Sequence, residues 1–395
     1  MTSGERTAGP GDLGGGADGQ WSRGPNPTRR PMLRGVLTGG IAAAVLLIAL
    51  LILLGIIGER LDAQTAVLAA LMALIPPAII VPVYLWLDRF EAEPLGYQVS
   101  AFLWGAVIAV VAAFYLNTAG LHLLASANWE DPLSTGAVWL APVTEETLKG
   151  LGIVLIYLFR RREFGGIIDG LVYAGLIGAG FAFSENILYL GSAYQLGGSE
   201  GLTLTFVVRC LMGPFAHPLF TSCIGIGLGI AVSTRNPRVR VLAIGVGWLA
   251  AILLHSLWNF SAIASQLGFL GAYATYQVPL FIAFLGFIMW LRRREGRLVG
   301  RYLSPYADAG WLTYPEVTML SSLRARRVAR GWAVAHGGSA GKRSMHAFQD
   351  SATDLALLRS RIVNGTAEAD AQAREVVLLG AITAHRKDFI GSPVT

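Results

Sequence analysis

Long apolar runs are the feature that most restricts how this chain can fold. They recur from Gly35 to Leu291, and several approach or exceed the roughly 20 residues that a helix needs to cross the hydrocarbon core of a bilayer. Hydrophobic residues make up 54% of the chain and charged residues 14%, whereas soluble domains average about 25% charged residues. This composition excludes a soluble enzyme and predicts an all-α, polytopic membrane helix bundle.

The apolar runs predict about eight transmembrane helices. Their expected ranges are 35–57, 66–87, 99–117, 136–159, 167–190, 214–232, 239–260 and 269–291. The stretch 202–232 is longer than one crossing needs, and it contains Arg209, Gly213 and Pro214. We therefore expect a short or broken piece there, followed by a sixth helix that starts at Pro214.

Arginine is distributed unevenly between the connecting segments. Clusters precede the first predicted helix and follow the fourth, sixth and eighth, namely Arg29, Arg30 and Arg34; Arg160, Arg161 and Arg162; Arg235, Arg238 and Arg240; and Arg292, Arg293 and Arg294. The segments 118–135, 191–201 and 261–268 contain no Lys or Arg. Because these residues collect on the cytoplasmic side of a membrane, the pattern predicts eight crossings with both termini in the cytoplasm. The net charge of +6 then reflects topology, and we expect no nucleic-acid partner.

Three regions are predicted along the chain. Residues 1–34 form a disordered cytoplasmic arm, 35–295 the transmembrane domain, and 296–395 a small cytoplasmic helical tail. In the tail, Thr313 and Glu316 have the spacing of a capping box with Pro at the first helical position. Glycines then divide the tail into a helix that stops at Gly337-Gly338, a second over about 344–363, and a third over about 367–388.

Ionisable and amide residues interrupt four of the predicted transmembrane helices. They are Glu145, Glu146 and Lys149 on the fourth, Glu185 on the fifth, His217 on the sixth, and His255 with Asn259 on the seventh. Each alone has an ordinary structural explanation, such as a buried ion pair, an acid at the membrane interface, or a core histidine. A charged side chain within a bilayer costs several kcal/mol, however, and usually marks function. Five of them fall in the outer half of the membrane on the predicted topology, namely Glu145, Glu146, Glu185, His217 and His255. One shared polar site that activates water is therefore expected.

The order of these motifs resembles the PrsW family of intramembrane proteases. The resemblance is carried by Glu145-Glu146-x-x-Lys149, Phe181-x-x-x-Glu185-Asn186, His217 and His255-x-x-x-Asn259, with flanking Asp169-Gly-Leu-Val-Tyr-Ala-Gly and Asp88…Glu91-Ala-Glu-Pro94. It covers about 65–295. That family belongs with the CAAX-type prenyl endopeptidases, whose second motif has His where this chain has Glu185. The resemblance implies a protease of the bacterial plasma membrane that acts in regulated intramembrane proteolysis. The implied partner is a membrane-anchored protein substrate, for example an anti-sigma factor.

A mechanism with alternatives follows from these residues. Glu145 is expected to be the general base, Glu146 to bind metal or orient that base, and Lys149 to hold the pair of glutamates. His217, His255 and Glu185 are expected to ligate a zinc ion or, in a metal-free mechanism, to donate to the developing oxyanion. Asn259 is expected to serve as an oxyanion donor or to orient His255. The family label implies a metalloprotease, although the sequence lacks H-E-x-x-H.

Two other classes of protein fit part of the pattern. An ion-coupled transporter also uses buried carboxylates and broken helices, although no internal repeat is evident in this sequence. A catalytically silent membrane scaffold is the second alternative.

Overall fold

The computed structural model describes residues 29–90, 93–161, 164–263 and 266–390, and these form helices without any β-strand. The α-helices are α1 Arg29–Arg60, α2 Ala63–Ala73, α3 Ile75–Leu87, α4 Leu95–Leu103, α5 Val110–Ser126, α6 Pro132–Thr135, α7 Ala141–Phe159, α8 Ile167–Phe206, α9 Ala216–Val232, α10 Pro237–Ile263, α11 Gln266–Ala272, α12 Val278–Asp308, α13 Tyr314–Leu320, α14 Leu323–Asn364 and α15 Ala371–Ile390. Wider π-helical turns occupy Trp104–Ala109, Gly136–Leu140, Val207–Met212 and Tyr273–Gln277. The predicted all-α fold class is confirmed.

Within the described residues, six helical stretches are long and apolar enough to cross a membrane. They are Gly39–Arg60, Ala63–Leu87, Leu95–Ser126, Ile167–Val232, Pro237–Ile263 and Gly268–Asp308. Large apolar side chains on them remain exposed, for example Leu51, Leu71 and Val241, as expected for surfaces that contact lipid. The chain is therefore an integral membrane protein. The predicted fifth and sixth helices share one of the six stretches, and α7 carries three charged residues, so the count of eight stays a prediction.

The N-terminal helix departs from the predicted arm. Residues 29–34, which the predicted arm includes, belong to α1, and residues 1–28 lie outside the described part. Contacts within the chain separate the part of α1 up to Leu47 from the part that begins at Ile48. Everything described below belongs to the unit that begins at Ile48.

A helical hairpin replaces the predicted outer loop at 191–201. The helix α8 continues to Phe206 and is interrupted at Gly198, which has φ 58° and ψ −147°. Residues with a side chain rarely adopt this conformation, so a single glycine reverses the chain. The two arms are close, because a Cβ at Gly201 would lie 2.6 Å from the carbonyl oxygen of Ala193. The sixth predicted helix, α9, begins at Ala216 rather than Pro214.

Glycines on α8 let other helices approach its backbone. A Cβ at Gly180 would lie 2.0 Å from the carbonyl oxygen of Phe102, and one at Gly178 would lie 2.8 Å from Pro218. A Cβ at Gly175 would lie 2.1 Å from the ring of Tyr84. These three glycines are close-packing positions. They bring α4 and α9 against α8, and α7 and α10 pack on α9, so side chains from four helices reach a common interior.

The C-terminal segment has its own apolar core, formed by α13, α14, α15 and the end of α12. The capping box of Thr313 and Glu316 is confirmed. A second cap, in which the Ser322 side chain accepts a hydrogen bond from Ala325, ends the first predicted helix early and starts α14. The predicted glycine stops appear as left-handed residues, with φ 57° at Gly338 and 64° at Gly365. The predicted domain boundary at 295/296 lies inside the continuous helix α12.

Candidate active site

The two glutamates and the lysine of α7 form the centre of a buried polar cluster. Because Lys149 follows Glu146 by three residues and Glu145 by four, its side chain reaches both carboxylates. The Lys149 ammonium donates to Glu146 Oε1 at 2.8 Å and to Glu145 Oε2 at 3.4 Å. Glu146 and Lys149 are completely buried, and Glu145 is 5% exposed. The ammonium also lies 3.8 Å from the centre of the Phe181 ring.

Glu146 is held by groups from three helices. Its Oε1 lies 3.0 Å from His255 Nδ1 on α10, in addition to the contact with Lys149. Its Oε2 accepts a hydrogen bond of 2.9 Å from the Thr221 hydroxyl on α9. A carboxylate next to Nδ1 requires that this nitrogen carry the proton of a neutral His255 ring, which leaves a lone pair on Nε2. That Nε2 lies 3.9 Å from Glu145 Oε2.

His217 connects this cluster to Glu185. Its Nδ1 lies 3.2 Å from the Lys149 ammonium, and its Nε2 lies 2.9 Å from Glu185 Oε2. Since the ammonium can only donate, Nδ1 is an acceptor and Nε2 donates to the carboxylate. The rings of His217 and His255 are 5.0 Å apart. The two histidines therefore lie side by side, each oriented by a different glutamate.

Arg209, from the π-helical turn before α9, partners Glu185. Its guanidinium donates to Glu185 Oε2 at 2.5 Å and to Asn186 Oδ1 at 2.8 Å. The same group lies 4.0 Å from the centre of the Tyr189 ring. Glu185 is thus an ion-paired carboxylate that also fixes His217, and the π-helical turn places the arginine that pairs with it.

A cavity of about 490 Å³ opens beside Glu145 and Glu185. Its other walls come mainly from α5 and from the segment that leads into α7, and they are mostly apolar. Asn117 on α5 donates to Glu145 Oε1 at 3.4 Å and is itself hydrogen bonded to Thr144. Neither Glu146 nor either histidine lines this cavity. Glu145 is therefore the member of the glutamate pair that meets an open volume.

Three side chains of the cluster could hold a metal ion. Glu145, His217 and His255 each offer one ligand atom, and these atoms lie within 4.8 Å of one another. One carboxylate with two imidazoles is a donor set found in catalytic zinc sites, and the contact of His255 with Glu146 is the usual outer partner of a zinc-bound histidine. The residues therefore fit a divalent ion. The group contains Glu145, which the sequence argument assigned as the base, while Glu185 is paired with Arg209.

Asn259 lies one helical turn beyond His255 and has a structural contact. Its amide donates to the carbonyl oxygen of Ala137 at 2.8 Å, which ties α10 to the π-helical turn before α7. Sequence reasoning missed Thr221 and Asn117. Thr221 follows His217 by four residues and so shares its helix face, which is the signal that could have indicated it.

These features define a class. A helical membrane protein that buries a carboxylate pair, a lysine and two histidines beside an internal cavity has the components of a membrane-embedded hydrolytic centre. The family model described as PrsW family intramembrane metalloprotease matches residues 93–284. This match, together with the similarity to curated proteins described next, supports an assignment of the chain to the PrsW family. The chain is an intramembrane peptidase.

Curated bacterial proteins are also similar to the chain. Protease PrsW of Bacillus subtilis (strain 168) is 29% identical over 232 residues, which are 58% of this chain and 94% of that protein. Protease PrsW of Oceanobacillus iheyensis is 28% identical over 193 residues, 49% of this chain and 82% of the relative. The corresponding protein of Geobacillus kaustophilus is 28% identical over 193 residues, 49% of this chain and 79% of the relative. No solved structure matches the chain significantly.

Proposed function

We propose that this protein hydrolyses a peptide bond in a membrane-anchored protein and that Glu145 activates the attacking water. The observation that carries this proposal is the difference between the two glutamates. Glu145 lines the 490 Å³ cavity, whereas Glu146 is enclosed by Lys149, His255 and Thr221. A general base must be within hydrogen-bond reach of its water, and of the two adjacent glutamates only Glu145 borders the cavity.

The neighbours of Glu145 would then position and polarise the reactants. Glu146 fixes the tautomer of His255 and turns Nε2 toward Glu145. Lys149 places a positive charge beside both carboxylates, where it would offset the negative charge that develops on the scissile carbonyl oxygen. We propose that Asn259, whose amide is used by Ala137, positions α10 and thereby His255 rather than donating to the oxyanion.

We propose that Glu145, His217 and His255 would hold the metal if the protein uses one, with zinc as the candidate. Glu145 would then act as a ligand of the ion, and its role as a free general base belongs to the metal-free mechanism. Such an ion would make a bound water acidic and polarise the scissile carbonyl. Glu185 would accept a hydrogen bond from the His217 ring N–H and would thereby hold that ring in position. Glu185 would then be a positioning residue and not a ligand. In a metal-free mechanism, Lys149 and the two histidines supply the positive and hydrogen-bonding groups.

We propose from the PrsW resemblance that the substrate is a membrane-anchored anti-sigma factor cut during regulated intramembrane proteolysis. We also propose that the protein is related to the CAAX-type prenyl endopeptidases. The similarity to proteases favours peptide hydrolysis over the solute carrier considered from the sequence. The mostly apolar walls of the cavity suit an unwound transmembrane segment of a protein substrate.

Cleavage of a membrane-anchored reporter in proteoliposomes tests the catalytic base. Glu145→Gln should lower the rate by about 10²-fold or more, because general base catalysis typically contributes at least that much. Glu130→Gln, at an exposed glutamate outside the cluster, is the matched control and should cleave at the parent rate. Unchanged cleavage by Glu145→Gln would refute the assignment.

Metal content tests the second part of the proposal independently. Purified parent protein should contain about one divalent ion per chain, and His255→Ala should lose both the ion and cleavage. Glu185→Gln should retain more metal than His255→Ala, since Glu185 is expected to contact the ion only through His217. Full activity of a metal-free preparation would exclude the metalloprotease mechanism. The metal-free mechanism, in which Lys149 and the two histidines supply the positive and hydrogen-bonding groups, would then remain.

A further inference from the structure

A second cavity, of about 430 Å³, shares no lining residue with the cavity beside Glu145. One side is built from the ends of α7 and α9, the first turn of α10 and residues just before α8. The other side is built from the end of α14, the start of α15 and the turn between them. Five arginines line it, and we call it the arginine cavity: Arg161, Arg235, Arg240, Arg361 and Arg374. No catalytic motif and no part of the proposed mechanism involves these residues.

Arginine predominates among the charged residues that line the arginine cavity. Its described lining contains five arginines and two acidic residues, Glu368 and Asp370. Asp354, outside the lining, also attracts Arg361 and Arg374. Guanidinium groups gathered around one volume repel one another, so an anion between them is favoured.

The chain also holds some of these arginines in position. The Arg240 guanidinium donates to the carbonyl oxygens of Ala231 and Thr234, at 3.2 and 3.1 Å. The Arg235 guanidinium packs directly against Gly365. A Cβ added at Gly365 would lie 2.2 Å from the Cζ atom of Arg235. Gly365 is the left-handed residue that ends α14, so the close contact joins the tail to the segment between α9 and α10. These contacts keep guanidinium groups at the rim of the cavity.

The location indicates which anion fits. The arginine cavity lies where apolar helices end, beside Phe159, Val232 and Pro237, and such ends lie at the polar boundary of a bilayer. Basic pockets between the ends of transmembrane helices bind the headgroups of anionic lipids, and guanidinium pairs with phosphate through two parallel hydrogen bonds. A volume of this size accommodates a phosphate headgroup.

We propose that the arginine cavity binds a phosphate group and that this phosphate holds the C-terminal tail against the ends of the transmembrane helices. The shared chemistry is a phosphate ester or free phosphate, supplied either by an anionic lipid or by the aqueous phase. Arg235 and Arg374 contribute from opposite sides, one from the transmembrane part and one from α15. Occupancy therefore stabilises the docked tail.

The experiment uses the full-length protein purified in detergent. It is incubated with phosphatidylglycerol, with the zwitterionic phosphatidylcholine, or with inorganic phosphate, and freed of unbound lipid. Retained lipid per chain and the midpoint of thermal unfolding are measured for the parent and for the double variant Arg235→Gln/Arg374→Gln. Arg238→Gln is the matched control, because Arg238 is exposed in the same segment but does not line the cavity.

Phosphatidylglycerol should be retained by the parent and raise its unfolding midpoint, whereas phosphatidylcholine should do neither. The double variant should bind it about 30-fold more weakly, because each of the two arginines near an anionic surface contributes about 1 kcal/mol and about 1.4 kcal/mol corresponds to tenfold. Arg238→Gln should behave like the parent. A rise of the midpoint with inorganic phosphate, lost in the double variant, would assign the site to a soluble phosphate instead.

A fold control separates loss of binding from loss of structure. Arg235→Lys/Arg374→Lys keeps both charges and should retain more lipid than the glutamine variant, with the same helix content by circular dichroism. Equal retention by the parent and the glutamine variant, with no response to phosphate in either, would overturn the proposal. Proteolysis is not a readout, so this test does not depend on the proposed function.

Discussion

Glu145 and Glu146 are adjacent on α7 and chemically identical, so their surroundings decide what each can do. Glu146 has hydrogen-bond partners on both oxygens and no access to the cavity, while Glu145 has weaker contacts of 3.4 Å and borders open volume. Adjacent positions on a helix point about 100° apart, which allows one neighbour to be structural and the other reactive. The pair of glutamates is thereby divided into one carboxylate that its partners enclose and one that borders the cavity.

Thr221 offers a test of this division. Its hydroxyl is buried and donates to Glu146 at 2.9 Å, so Thr221→Val removes a hydrogen bond to a buried carboxylate. Such a loss costs about 1–3 kcal/mol. The unfolding midpoint and the cleavage rate should both fall, and Thr221→Ser should restore them because it retains the hydroxyl. Thr203→Val, at an exposed threonine that does not line the 490 Å³ cavity, is the control. A serine variant no better than valine would show that only packing matters here.

Asp88 provides a prediction about pH. It follows α3 outside the apolar stretches, is 3% exposed, and its Oδ1 has no hydrogen-bond partner among the described residues. Burial raises the pKa of Asp88 to about 9, from about 4 in an unfolded chain. Because the folded pKa is the higher one, the stability that the proton provides is complete below about pH 4 and is lost as the pH rises toward 9.

Asp88→Asn should therefore flatten the dependence of stability on pH. The amide oxygen of the introduced asparagine can still accept the hydrogen bonds from the Glu93 backbone and the Gln98 side chain. The asparagine side chain carries no charge at any pH. Unfolding midpoints measured from pH 5 to 9 should fall with pH in the parent and fall less in the variant. Glu130→Gln should follow the parent curve. An asparagine variant with the parent's full pH dependence would show that Asp88 is already ionised.

The sequence predicts site residues well where spacing and chemistry coincide. Lys149 has to reach both glutamates because three- and four-residue spacings share a helix face, and Arg209, a cation beside the helix break, is a natural partner for one of the acids. Thr221 and Asn117 were missed because a hydroxyl or an amide in an apolar helix is common and carries no formal charge. Which glutamate borders a cavity depends on packing between α5 and α7, which no local pattern encodes.

At the scale of elements, glycine determines how closely the helices approach. Gly180→Ala would place a Cβ 2.0 Å from the carbonyl oxygen of Phe102, which is backbone and must move. Overpacking of this kind costs about 1–3 kcal/mol, and the displaced α8 also carries Glu185. Thermal unfolding and cleavage should both be impaired.

Gly245→Ala is the control for this substitution. Gly245 lies in the interior of α10 with no heavy atom within 4 Å of the added Cβ, so alanine should be neutral or stabilise the helix by up to about 1 kcal/mol. If Gly180→Ala were as stable as Gly245→Ala, the close approach of α4 to α8 would not be required.

Element boundaries were the weaker part of the sequence prediction, and glycine explains why. The stops at Gly337-Gly338 and at Gly365 were predicted correctly because polar residues and the end of a periodic pattern accompany them. Gly198 was missed because its surroundings lack Lys and Arg and resemble a loop, although they form two arms of a helical hairpin. The π-helical turns were also not predicted, since an extra residue in a helical turn leaves no signal in hydropathy.

At the scale of the whole molecule, the arginine clusters converge on one region. Residues from the ends of α7, α9 and α10 line the arginine cavity together. A neighbouring cavity of about 320 Å³ joins Gly165 and Ser233 to Arg294 on α12. The clusters that follow the fourth, sixth and eighth predicted helices thus lie on the same side, which requires an even number of crossings between them. This arrangement agrees with the arginine pattern from which the topology was predicted.

Reporter fusions test the predicted orientation. A reporter inserted at Gly197, at the tip of the α8 hairpin, should be active outside the cell membrane, because no Lys or Arg lies within 191–201 and the tip is one crossing away from the Arg161 cluster. Fusions after Leu291 and within 234–236 should both report the cytoplasm, since they adjoin the Arg292–Arg294 and Arg235–Arg240 clusters. Paired reporters active only inside or only outside the cell measure each position. A tip fusion on the same side as the fusion after Leu291 would refute eight crossings. If the tip fusion reported the cytoplasm and the other two fusions reported the outside, the even number of crossings would be preserved. Both termini and the arginine cavity would then lie outside the cell.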